Sequence, residues 1–141
     1  MFLFINSLQE GKISLALFKN PSSIQWFKRS IKSKSRENIL VILDKVLKQN
    51  KKKIKDIQGI VVVNGPGSFV GIRIALSVAN ALAWSLNIPI QGVNLCFGKT
   101  NKDLINKSWS QISKRKKYRA VQPFYGQEPN ITINKKKDEN I

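Results

Sequence analysis

The chain has 141 residues, 42% of them hydrophobic, and carries a formal charge of +17 with no histidine and one cysteine. That length suits one domain with a real core. The lone Cys96 and the missing histidine exclude an internal disulfide framework, the usual zinc sites and every histidine-based triad. The charge points to an acidic partner such as RNA or DNA, because lysines near phosphates release counterions. Against that, Lys, Ile and Asn fill 51 of the 141 positions and only five basic residues are Arg. An AT-rich genome gives such usage without selection for binding, and base readers favour the Arg fork. Composition therefore outweighs a dedicated nucleic-acid surface as the explanation. The first residues, Met1 to Asn6, lack a basic lead and a small-residue cleavage site, so no signal peptide is expected and the simplest setting is cytoplasmic.

In chain order, Phe2 to Ser7 reads as a strand, Leu8 to Gly11 as a turn, and Lys12 to Phe18 as a second strand with alternating apolar positions, giving a hairpin. Asn20-Pro21-Ser22-Ser23 breaks the pattern, and Ile24 to Ile31 reads as a third strand. Ser35 is the expected N-cap of a helix with Asn38 at its third position; Ile39, Leu40, Ile42, Leu43, Val46 and Leu47 follow at helical spacing. The lysine cluster from Gln49 to Lys53 then suits a solvated helix end. A buried strand is expected over Ile57 to Val63, a glycine turn after it, a second helix reaching Leu86 with Asn87 ending it, and a strand over Ile88 to Val93. From Lys99 to Arg119 the chain is polar and basic, with one short helix expected over Lys102 to Ser113. Val121 to Tyr125 reads as extended, and Lys135 to Ile141 as a charged, disordered end. The order strand, strand, strand, helix, strand, helix, strand implies an α/β layer whose sheet joins an antiparallel meander to parallel additions.

The most informative stretch is Gly65-Pro66-Gly67-Ser68-Phe69-Val70-Gly71-Ile72-Arg73 and the run from Ile74 to Leu86, which holds no charge, Gly or Pro. Strand, glycine turn and helix is a phosphate-binding layout, but the spacing is wrong for the known cradles. A P-loop needs Lys and then Ser or Thr after its last glycine, and neither Gly65 nor Gly67 leads to one. A dinucleotide fingerprint needs G-x-G-x-x-G with an acid about 20 residues on; here Gly71 comes one residue late and no acid follows. The simplest reading is a tight turn set by Gly65 and Gly67, with Ser68 capping the helix. That helix is apolar all round. A helix covering one face of a sheet needs only one apolar stripe, and the chain offers little else to cover the rest, so its surplus apolar surface points to a protein interface.

These residues also carry a family resemblance. The run Gly65 to Ile74 resembles the G-P-G-S-F-T-G-[LIV]-R-[IV] signature of the TsaB (YeaZ) family, the dimerization subunits of the bacterial tRNA threonylcarbamoyladenosine machinery. Asn38 to Leu47, Ile54 to Ile57 and Ala79 to Val93 resemble the family's two helices and intervening strand. Pro123-Phe124-Tyr125 with Glu128 to Thr132 is similar to its C-terminal segment. The resemblance implies a first lobe of the actin/Hsp70/sugar-kinase (ribonuclease H-like) α/β fold over residues 1–95. It implies a basic connector over 96–120 in place of a second lobe, and an extended tail over 121–141. It implies no catalysis and no cofactor or metal. The partner would be the TsaD transferase subunit, docked through the two helices, with an ATPase subunit in the same complex, tRNA reached indirectly and no membrane contact. A homodimer through the same helices stays open. The signature-turn residues are Gly65, Pro66, Gly67, Ser68, Phe69, Gly71 and Arg73. The docking residues are Ile39, Leu43 and Leu47 on the first helix and Ile74, Ser77, Val78 and Ala81 on the second. For the first-helix set a place in the core is an equal alternative, and the role of Arg73 is open.

The departures from the family pattern are Val70 in place of Thr, Arg36-Glu37 in place of His-Ser, Gly126-Gln127 in place of Leu-Arg, and Asn6 where the first strand usually carries Asp. A phosphotransferase of this fold would use that carboxylate to orient metal and water. Two other function classes stand beside it: a small nucleotide-binding enzyme of the same fold, which Asn6 and the 28 residues between Val93 and Gln122 disfavour, and a basic tRNA- or nucleic-acid-binding module, which would show a steep salt dependence.

Overall fold

The computed structural model of the chain describes residues 1–8, 11–30 and 38–125. Five strands form one sheet in the order β3-β2-β1-β4-β5: β1 (Phe2–Asn6), β2 (Lys12–Asn20), β3 (Ser23–Ser30), β4 (Gly59–Gly65) and β5 (Ile90–Asn94). β1, β2 and β3 pair antiparallel, while β4 and β5 run parallel to β1. This is the mixed α/β architecture expected of the sequence. Strands β1 and β4 sit in the middle and read as nearly unbroken apolar runs, since Leu3, Phe4, Ile5 and Ile60 to Val63 are all fully buried. Burial of successive strand residues requires cover on both faces of the sheet.

Helix α1 (Ile39–Gln49) and helix α2 (Phe69–Leu86) touch one another and cover one face. Helix α3 (Asn101–Ile112) packs on β4 and β5 and covers part of the other. There Trp109 meets Phe2 edge-on at 5.3 Å, and Gly59 leaves room for Phe2 and Ile112. Leu104, Ile105 and Ile112 of α3 are buried, so the stretch 96–120, expected as a connector, supplies core.

Several boundaries differ from the sequence reading. Helix α1 is capped by Asn38, whose Oδ1 accepts from Val41 N at 3.1 Å; the expected cap Ser35 lies outside the described residues, as do Ile31 and the tail beyond Tyr125. The expected strand at Ile57 begins two residues later. Ile54–Asp56 forms a short 3-10 turn, closed by Lys53 N donating to Asp56 Oδ2 at 2.8 Å, which delays the extended backbone. β5 likewise starts at Ile90, after Pro89, which has no N–H to give a ladder. The helix end at Asn87 is as expected: it takes the left-handed conformation (φ 54°) that Asn tolerates.

The start of α3 is a capping box. Thr100 Oγ1 accepts from Asp103 N, and Asp103 Oδ2 accepts from the N–H groups of Lys99 and Thr100. The hydrogen bond with the Thr100 side chain, then those from the Lys99 and Thr100 backbone, hold the Asp103 carboxyl below its ordinary 3.8. Its folded pKa is depressed, so its stabilisation is complete above the unfolded value and is lost as pH falls through the lower folded value. Asp103→Ala should therefore have a lower urea midpoint than the parent near pH 7, and the gap should close as pH drops below about 3.8.

Candidate partner-docking surface

Helix α2 buries one stripe, Ile72, Ala75, Leu76, Ala79, Leu82 and Ala83, against the sheet. The alanines in this stripe let the helix lie close on β4. Ser68 caps it, its Oγ accepting from Gly71 N at 3.3 Å. By length and composition α2 would also pass as a membrane span, but its buried stripe is that of a sheet-packed core helix.

The opposite stripe of α2 is apolar, and no element among the described residues covers it. Ile74 is 49% exposed, Val70 63% and Trp84 70%, with Ser77 and Ala81 exposed and Val78 half-buried among them. Leu40 and Val41 add exposed apolar surface on the neighbouring α1. The first-helix residues expected at a docking face need correction. Ile39, Leu43 and Leu47 are at most 4% exposed, because they form the i, i+4, i+8 stripe that α1 lays on the sheet. They are core, and the outward apolar residues of α1 are Leu40 and Val41.

The glycine turn is a packing junction. Gly65 has φ +134°, and a side chain there would run into the carbonyl oxygen of Phe124. A Cβ on Gly67 would fall 2.9 Å from that of Leu8, and one on Gly71 would fall 3.0 Å from the carbonyl oxygen of Ser7. The element pressed onto the turn is the extended strap from Tyr118 to Tyr125. Phe124 N donates to Asn64 O at 2.8 Å, and Asn64 Nδ2 donates to Gln122 O at 3.0 Å. Asn80, in the middle of α2, clamps the strap from both sides: Val121 N donates to its Oδ1 at 2.9 Å, and its Nδ2 donates to Val121 O at 3.1 Å. Tyr125 stacks on Phe69 at 4.8 Å, and the Arg73 guanidinium lies 4.1 Å from the centre of the same ring. Arg73 thus has a cation–π partner that the sequence reading did not identify.

Asn64 and Asn80 were likewise not singled out. The signal for both was present: each is a polar amide inside an apolar run, and buried polar groups need partners. Asn80→Ala leaves both backbone groups of Val121 unpaired and should cost about 2 kcal/mol. The measurement is the urea midpoint, with trypsin cutting after Arg119 faster than in the parent as the second readout.

At the end of β1, Asn6 Nδ2 donates to Asn101 Oδ1 at 2.8 Å, and Asn6 Oδ1 accepts from Leu8 N, so this amide fastens β1 to the start of α3. Among the described residues no three His, Cys, Asp or Glu side chains come together.

Comparison with known proteins fits this geometry. A family model described as "TsaD: tRNA N6-adenosine threonylcarbamoyltransferase" matches residues 29–111. A tRNA threonylcarbamoyladenosine biosynthesis protein TsaB from Buchnera aphidicola (subsp. Schizaphis graminum) is 33% identical over 114 residues, 81% of this chain and 51% of that protein. The chain belongs to the TsaB/YeaZ family. A tRNA N6-adenosine threonylcarbamoyltransferase from Syntrophotalea carbinolica is 41% identical, but over 61 residues only, 43% of this chain and 18% of that one. The longer match thus lies with TsaB. The fold agrees: YeaZ from Pseudomonas aeruginosa superposes with a TM-score of 0.58 at 23% identity, over 66% of this chain and 43% of the other. The chain spans about half the length, or less, of the curated relatives it matches first.

Proposed function

We infer that the chain is a non-catalytic partner subunit in the making of N6-threonylcarbamoyladenosine on tRNA, and that it docks on the TsaD transferase subunit. The observation that carries this reading is the exposed apolar stripe of α2, from Val70 and Ile74 to Trp84. Single apolar residues on a surface need no explanation, but an apolar stripe running the length of a helix does. Relatives named for threonylcarbamoyladenosine biosynthesis and for the transferase itself support the pathway. Asn6 supports the non-catalytic part: where a phosphotransferase of this fold would need a carboxylate, the amide is engaged with Asn101 and the Leu8 backbone. A cytoplasmic setting goes with this role.

The test is gel filtration of the chain mixed with TsaD of the same organism at micromolar concentration. Co-elution as a heteromer is the expected result; separate elution of the two would refute the docking. Self-association of the chain alone, unaffected by added TsaD, would assign the same face to a homodimer.

A further inference from the structure

We propose that the sheet face opposite α2, where β3 and the Lys12 end of β2 stay exposed, binds single-stranded RNA. This goes beyond partner docking and does not depend on it, because it uses the other side of the sheet. The strand register sorts the side chains into rows. Phe2, Phe18 and Ile24 make one row; Phe4, Ala16 and Trp26 the next; Asn6, Ser14 and Lys28 the third; and Lys12 lies beyond, paired with Ser30. Alternate residues of a strand share a face, so all these rows look the same way. Helix α3 covers the β1 end of these rows: Trp109 lies against Phe2 and Phe18, Asn101 bonds Asn6, and Phe4 and Ala16 between them are fully buried. Trp26 is left 37% exposed, its ring edge-on to Phe4 at 6.0 Å.

Past Trp26 a cleft of about 500 Å³ opens between the third row and the start of α3. Lys12, Lys28 and Lys99 line it with Ser14 and Asn101, and among the described residues no Asp or Glu does. The one carboxylate in the first turn of α3, Asp103, accepts from the backbone there and is engaged in the cap. Lys12 and Lys28 on this sheet face, Lys99 in the turn before α3 and the partly exposed Trp26 indole one row away fit a ligand that joins phosphates to flat rings. The cations neutralise phosphodiesters while the indole stacks a base. An acidic peptide would leave the indole unused, and a duplex keeps its bases stacked away from it. Ser14 and Asn101, lying among the lysines, offer hydrogen bonds to 2′-hydroxyls, which favours RNA over DNA.

The test is fluorescence anisotropy of the full chain with a labelled oligouridylate of about 15 nucleotides and the matching oligodeoxythymidylate, from about 50 to 200 mM KCl. The triple variant Lys12→Glu, Lys28→Glu, Lys99→Glu should bind the RNA at least about tenfold more weakly, with the slope of log K against log salt reduced by about 2. The same charge change at the far end of α3 (Lys114→Glu, Lys116→Glu, Lys117→Glu) should have much less effect. Trp26→Ala should weaken binding about tenfold at unchanged slope, and Trp26→Phe should restore most of it. Equal losses in the two triple variants would mean binding spread over the whole +17 charge and would overturn the proposal. So would an unaffected Trp26→Ala, or equal affinity for the deoxy strand. If Trp26→Ala unfolds, the triple variants, all changed at exposed lysines, and Trp26→Phe still decide between the outcomes.

Discussion

Gly65→Ala should lower the stability of the fold by about 3 to 5 kcal/mol, the largest effect of any single methyl group added to the glycine turn. Two costs add. At φ +134° an L side chain is strained whatever the space around it, which costs about 1 to 3 kcal/mol. The added carbon would also meet the carbonyl oxygen of Phe124, and that atom cannot step aside because Phe124 N donates to Asn64 O. Pushing the strap away would put at risk the Asn80 clamp and the stack of Tyr125 on Phe69. For a domain whose total stability is about 5 to 15 kcal/mol, this is a large share. Chemical denaturation of Gly65→Ala beside Gly67→Ala tests the argument. Gly67 lacks the positive φ and meets the side chain of Leu8, so its variant should lose clearly less. Equal losses at the two positions would show that strap and strain at Gly65 are not what the turn depends on.

Ile74→Glu should weaken association with TsaD by about 100-fold, with the melting temperature changed by no more than about 2 °C. Ile74 is half in water already, so a carboxylate there keeps its solvation in the free protein and loses it only when a partner covers the helix. Leu76→Glu, two positions on and 5% exposed, is the contrasting variant: it puts a charge under the helix and should unfold the domain. Trp84, the most exposed large apolar side chain among the described residues, is the second site, and Trp84→Ala should also weaken the complex. Isothermal titration with TsaD measures both. An Ile74→Glu chain that binds with parental affinity would remove α2 from the interface while leaving family membership untouched.

Most of the architecture was legible in the sequence because its signals are local. Apolar alternation in Lys12 to Phe18, the helical spacing from Ile39 to Leu47, the cap Ser68 and the stop at Asn87 each report on a few neighbouring residues, and the elements formed where they point. The boundaries that moved did so through equally local polar bonds: Asn38 rather than Ser35 caps α1, and the turn closed by Asp56 holds back β4. The proposed docking surface was half legible. An apolar residue on a helix has the same character whether it faces a sheet or a partner, so Ile39, Leu43 and Leu47 could not be separated from Ile74, Val78 and Ala81 by residue type. Only the orientation of each helix on the sheet separates them.

The sequence by itself determined the α/β class, the strand–turn–helix unit around Gly65 and, through its ten-residue signature, the family. These rest on short-range backbone preference and on an ordered pattern of residue types, both carried by the chain before it folds. Tertiary structure decided what that unit is for. Gly65 is bare because a strap from nearly 60 residues further along lies on it, and Gly67 and Gly71 are bare because Leu8 and Ser7, from the far earlier end of β1, lie against them. Asn80 sits in an apolar helix because the backbone of Val121 needs two partners, and Arg73 rests on a ring that Tyr125 holds from the strap. Each is a contact between residues distant in sequence, and such contacts exist only once the chain has closed on itself.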